Sequence, residues 1–179
     1  DPPEDTNWWE SDDSSSGAGT EAEDSAALDQ AAYEGDRGDK TGLYALEKAD
    51  LFNLLCIPTD QRVASTPAAV YQTALGYCAE KRAMLIVDPP ATWTSAADPQ
   101  DAATGLDSLN LTGTIARNGA IYFPRVKMPD PLREGQLDDF VPCGIIAGVY
   151  ARTDVQRGVW KAPAGIDAAL NGVQALTVK

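Results

Sequence analysis

Ala83-Met84-Leu85-Ile86-Val87-Asp88-Pro89-Pro90 is an unbroken apolar run closed by an acid and a double proline. A strand buried on both faces shows no polar alternation, and proline, lacking an N–H, ends the ladder. The residues before it read as a helix. Thr66 and Pro67 suit the N-cap and first helical position, and Val70, Tyr71, Ala74, Leu75 and Cys78 recur at three- and four-residue spacing. Lys81 and Arg82 then fall where a helix carboxyl end favours cations. One step further upstream, Leu51-Phe52-Asn53-Leu54-Leu55-Cys56-Ile57 is a second apolar run, closed by Pro58.

The same alternation continues downstream. A weak helical stretch from about Ala102 to Ala116 leads through the turn pair Asn118-Gly119 into Ala120-Ile121-Tyr122-Phe123, ended by Pro124. Lys127 to Asp139 is rich in Pro, Asp and Gly and is expected as an exposed loop. A helix is predicted from Val141-Pro142, with Ile145, Ile146, Val149 and Val155 on one apolar face and Gly158 at its stop. Gly144 and Gly148 on it are read as places of close packing against the sheet. Asn171-Gly172 then precedes a last candidate strand, Val173 to Val178. Strands alternating with helices imply an α/β fold with a mostly parallel sheet flanked by helices on both faces.

Charge divides the chain. Residues 1–40 hold 13 acidic and 2 basic side chains, whereas residues 41–179 hold 14 and 12. The first segment is therefore expected as an acidic linker or loop insertion, mobile from about Ser11 to Asp24, with Trp8 and Trp9 as an anchor on this chain or a neighbour. Residues 41–179 are expected to form the folded body. The acidic, Ser-rich opening is not a signal-peptide pattern, and the chain reads as a fragment of a longer protein. A net charge of −13 opposes nucleic acid and anionic lipid, and no apolar run approaches the length of a membrane span, so neither nucleic-acid binding nor membrane insertion is expected.

The chain contains no histidine, which excludes Ser-His-Asp and Cys-His nucleophile pairs and the usual zinc sites within it. Cys56, Cys78 and Cys143, odd in number and in apolar contexts, are expected as inert, reduced thiols that form no disulfide. No glycine-rich phosphate loop follows any strand. Asp88 is the one catalytic candidate, because ligand-binding groups of open α/β sheets gather at strand carboxyl ends; a carboxylate that merely turns the chain before Pro-Pro is the preferred reading. Arg37-Gly38-Asp39 reads as a polar turn ahead of an adhesion motif, Asn110-Leu111-Thr112 as loop ahead of a glycosylation site, and Glu34, Asp36 and Asp39 as a solvated acidic turn ahead of a calcium site. Accordingly no catalytic residue, cofactor or metal is assigned.

Five blocks carry a more specific signal. Leu51 to Pro58, Ala83 to Pro90, Ala120-Ile121-Tyr122-Phe123-Pro124-Arg125, Gly148-Val149-Tyr150-Ala151-Arg152-Thr153-Asp154 and Arg157-Gly158-Val159-Trp160-Lys161-Ala162-Pro163-Ala164-Gly165 occur in the order found in contractile tail sheath proteins. The chain resembles, over roughly residues 41–179, the α/β domain of a sheath from a phage tail or a phage-derived extracellular contractile injection system. The resemblance implies the domain architecture called subtilisin-like in that family, here without a catalytic triad. It also implies a structural virion or tailocin component that needs no enzyme activity: stacked hexameric rings forming a helical assembly around an inner tube and contracting to drive the tube into a target cell.

The implied partners are other copies of the subunit, the inner tube protein, and baseplate and terminator or cap proteins. Assembly would take place in the bacterial cytoplasm, with release in the particle. The N-terminal arm and C-terminal domain of a complete sheath protein are not in this sequence. Arg152, Asp154, Arg157, Trp160 and Lys161 are the residues expected at a subunit interface. Burial of Trp160 in the core and burial between subunits are weighed evenly, and Arg152 with Asp154 is expected to pair locally. The competing class is an α/β enzyme or small-molecule binder with Asp88 at the strand ends.

Overall fold

A computed structural model of the chain describes residues 26–178. Its centre is the run that opened the sequence reading: β2 (Met84–Val87) lies between β1 (Leu54–Cys56) and β3 (Gly119–Ile121) in a parallel three-stranded sheet of order β1-β2-β3. Leu55 pairs with Leu85 and Cys56 with Ile86 on one side, and Ile86 with Ala120 and Val87 with Ile121 on the other. Leu85 and Ile86 are fully buried and Val87 nearly so. Successive side chains point to opposite faces, so Leu85 and Val87 meet one layer and Ile86 the other.

The first layer is α2 (Ala68–Lys81), whose Tyr71, Ala74, Leu75 and Cys78 join Leu55, Leu85 and Val87 in one buried cluster. Pro67 takes the N-cap position expected of Thr66, whose hydroxyl instead donates to the Ile57 carbonyl at 3.1 Å. The helix ends where Arg82 turns left-handed at φ 59°. At Gly119 the backbone passes so close to α2 that a Cβ would stand 3.0 Å from the Leu75 side chain. The second layer is α3 (Cys143–Arg157), which packs on β1 and β2.

The molecule is thus α/β, but three expectations need correction. The Lys127–Asp139 segment is no loop: Val126–Asp130 and Gln136–Phe140 form the antiparallel strands β4 and β5. Proline within β4 and a charged exterior hid it, yet Lys127 sits opposite Asp139 and bonds to it, and Arg62 lies over the Phe140 ring at 4.7 Å. The expected last strand is reduced to β6 (Ala175–Leu176), which pairs antiparallel with β4 in a second sheet of order β5-β4-β6 and adds nothing to the parallel one. The weak helix at 102–116 is replaced by short 3-10 turns, Leu106–Leu109 and Thr114–Asn118.

Ahead of the parallel sheet, α1 (Gln30–Glu34) packs against α2. Asp29 caps it by accepting the Ala32 N–H at 2.8 Å, and Leu28 N–H reaches Asp60 at 2.8 Å. The expected mobile stretch Ser11–Asp24 and the Trp8-Trp9 pair lie outside the described residues. Among the described residues no helix is long and apolar enough to cross a membrane.

Leu85→Ala should lower the free energy of unfolding by about 2 to 5 kcal/mol, since it empties the fully buried centre of the sheet. Urea unfolding followed by fluorescence measures it, and a cost under about 1 kcal/mol would contradict this account of the core.

Candidate functional site

The residues expected at an interface all lie at the carboxyl end of α3 and the segment beyond it. Gly158 closes α3 at φ 90°, and the chain doubles back so tightly that a Cβ there would stand 2.3 Å from the Trp160 ring. The positive φ is what calls for glycine, since the crowding atoms are the far end of an exposed, movable ring. Trp160 is nonetheless 85% exposed, so core burial is excluded for it in this chain. Val155, Val159 and Ile166 are exposed as well. Val155 therefore leaves the apolar face predicted for α3, where Val149 is buried and Ile145 and Ile146 are half-buried. Gly144 and Gly148 also depart from expectation: both are exposed, with open space where a Cβ would stand.

The charged members of the group act locally. Arg152 donates to the carbonyls of Asp167 at 3.2 Å and Ala169 at 2.7 Å. It does not pair with Asp154, because residues two apart on a helix diverge. Arg157 reaches the Asp167 carboxylate at 3.5 Å, and Lys161 donates to the Ala162 carbonyl at 2.7 Å. Together Thr153, Gln156, Arg157, Lys161 and Asp167 line a shallow groove of about 130 Å³. Arg152 and Arg157 thereby staple the return segment onto α3 and leave the large apolar side chains outermost.

Asp88 occupies a different environment. It is 3% exposed at the end of β2, and its Oδ1 accepts the Cys143 N–H at 2.8 Å, holding the start of α3 against the sheet. Its own N–H donates to the Tyr71 hydroxyl at 3.3 Å. Oδ2 is buried without a hydrogen-bond partner, and burial holds the carboxyl above its ordinary pKa. Close by, Cys56 Sγ donates to the Cys143 carbonyl at 3.4 Å; the neighbouring Cys143 lowers the Cys56 pKa, while Cys56, burial and Asp88 raise that of Cys143. Cys78 stands apart, its thiol pushed up to about 11 by burial. The proximity of Cys56 and Cys143 was not readable from spacing, since 87 positions separate them.

Arg125 was likewise missed as a structural centre. Its guanidinium is buried and donates to the carbonyls of Arg62 at 2.8 Å, Ala64 at 2.6 Å and Pro89 at 3.2 Å. Burial lowers its pKa. The other motifs make local contacts: Arg37 pairs with Glu47 at 2.9 Å and with Glu80, over the Tyr44 and Tyr77 rings, and Asp36 accepts the Asp39 N–H at 2.9 Å. Glu34 accepts from Thr73 at 3.1 Å, and Asn110 takes a left-handed cap at φ 50°. Among the described residues no group of three His, Cys, Asp or Glu side chains is arranged to hold a metal ion. Comparison with known families and with curated proteins finds no match to this chain.

Two outcomes check this geometry. Arg125→Met keeps bulk but abandons the carbonyls, and should cost about 1 to 3 kcal/mol in urea unfolding; an unchanged midpoint would refute the clamp. For Asp88 the sign follows from its raised pKa: the folded chain holds that proton more tightly, so its contribution to stability falls as pH rises from the ordinary carboxylate range through the raised value. Asp88→Asn should therefore gain on the wild type across that window in pH-dependent melting, and a difference that does not vary with pH would contradict it.

Proposed function

We propose that this chain is part of a structural subunit of a contractile sheath, working by contacts between subunits. The reading rests on the ordered blocks of resemblance, and one observation supports it in three dimensions. The most specific block, Arg157 to Gly165, and the helix end before it present Val155, Val159 and Trp160 to solvent, with Ile166 beside them. Large apolar side chains left exposed close together in sequence, with charged residues among them, suit an interaction site, and tryptophan with arginine is typical of its anchors. The ion pair of Arg157 with Asp167 and the Lys161 ammonium supply those charges within the same segment.

In this reading the parallel sheet with its flanking helices is the core of the sheath domain, and the subtilisin-like label describes architecture alone. Neighbouring copies cover the Trp160 surface, with the inner tube, baseplate and terminator as further partners in a phage tail or injection particle assembled in the bacterial cytoplasm. Contraction repacks subunits as rigid bodies and asks no bond-making of the chain. The alternative, an enzyme or small-molecule binder centred on Asp88, meets a carboxylate that is 3% exposed and already engaged by the Cys143 N–H.

Electron microscopy of the full-length protein tests the proposal. Regular tubes are expected from the wild type. Trp160→Ala should change the free energy of unfolding by no more than about 0.5 kcal/mol, as a surface change does, while abolishing ordered tubes. A monodisperse wild type, or tubes indifferent to Trp160→Ala, would overturn it.

A further inference from the structure

Asn118-Gly119 and Asn171-Gly172 are the same dipeptide in two settings. A glycine after asparagine has no Cβ to keep its backbone nitrogen from the asparagine side chain, so the pair is chemically labile wherever both groups are free to meet. At the first copy the fold occupies the reacting groups. Asn118 Nδ2 donates to the Ala83 carbonyl at 3.0 Å, and the Gly119 N–H donates to the Ala116 carbonyl. Gly119 is half-buried in β3, extended at φ −129°, with the Leu75 side chain of α2 against it.

The second copy is the reverse. Asn171 and Gly172 are both exposed in the turn before β6, with Gly172 at φ 84°. Among the described residues neither the Asn171 amide nor the Gly172 N–H has a hydrogen-bond partner. Fixed points lie on either side of the turn. Arg152 donates to the Ala169 carbonyl at 2.7 Å, and the Gln174 N–H donates to the Lys127 carbonyl at 2.9 Å. Between them nothing holds the carboxamide away from the nitrogen that follows it.

We infer that Asn171 is a modification site, converted through a cyclic imide with Gly172 to isoaspartate and aspartate, whereas the fold keeps the identical pair at Asn118 intact. The Gly172 nitrogen gives its proton to solvent and attacks Asn171 Cγ. The N–Cγ bond forms, the Cγ–Nδ2 bond breaks, and Nδ2 leaves as ammonia after taking a proton back. Water then opens the five-membered ring. Addition at Cγ restores the main chain and leaves aspartate; addition at the backbone carbonyl carbon breaks its bond to Gly172 and leaves isoaspartate, with the chain running through Cγ. The sum is amide and water to carboxylic acid and ammonia, with no change of oxidation state. Each product places a carboxylate where a neutral amide stood. Isoaspartate also lengthens the main chain between Ala169 and Gln174, the two points that hold β6 in register with β4.

The experiment holds the folded protein at mildly alkaline pH, samples it at intervals and maps tryptic peptides by mass. Cleavage after Arg117, Arg125 and Lys161 puts the two asparagines in separate peptides. It reads the subunit in solution and does not depend on whether sheaths form. The Asn171 peptide should gain the mass of deamidation first, and Asn118 should trail it by at least about tenfold, because it reacts only from a locally opened fraction. In guanidinium chloride, where the fold no longer distinguishes them, the two rates should converge. An isoaspartate-specific carboxyl methyltransferase with labelled S-adenosylmethionine separates the two products, which have equal mass, and should label the Asn171 peptide. Asn171→Gln, whose longer side chain closes the ring poorly, should remove the early acidic species. Asn118 keeping pace with Asn171 in the folded protein, or Asn171 staying intact there while it reacts in denaturant, would overturn the site. Aspartate without isoaspartate would overturn the cyclic route.

Discussion

Burial of β2 on both faces is the constraint from which the rest of the architecture follows. With Leu85 and Ile86 fully buried and pointing opposite ways, the strand needs a cover on each side. Parallel neighbours can be reached only by crossover connections, and the one from β1 to β2 supplies one of the covers. The chain between β1 and β2 becomes α2, and α3 arrives later in sequence on the opposite face. A sheet of only three strands is enough because both layers are helices with apolar faces.

Where apolar covers meet strand ends, backbone groups and charges are taken out of water, and the chain answers with a few buried polar side chains. Asp88 satisfies the first N–H of α3, one of the groups that a helix start leaves without an internal partner. Asp130, 1% exposed, caps the turn after β4 at Leu132 N–H and meets Arg62 at 2.6 Å. Each of these residues holds together segments distant in sequence, so their worth lies in placing elements relative to one another.

This division explains what the sequence disclosed. The apolar runs at 51–57 and 83–87, and the spacing of Val70, Tyr71, Ala74, Leu75 and Cys78, stated β1, β2 and α2 directly, because period and length carry that information locally. The hairpin of β4 and β5 did not show itself, since Pro129, Asp130 and Gly135 are turn formers by composition and the strand pairing is secured by cross-strand partners. Trp160 illustrates a second limit: residue type alone left it between core and surface, and only the reversal at Gly158 decides that it faces outward. The contact of Cys56 with Cys143 is a third, being a product of topology that no spacing rule anticipates.

Arg125 gathers more of the chain than any local motif. Its side chain holds the carbonyls of Arg62, Ala64 and Pro89, while its own carbonyl accepts the Thr177 N–H at 3.1 Å and hydroxyl at 3.0 Å. The segment containing β6 is thereby moored, through one residue, to the loops at the mouth of the parallel sheet. A pull on the polypeptide near Thr177 travels into Arg125 and divides between two stretches of backbone, at 62–64 and at Pro89, so the strain is shared between them.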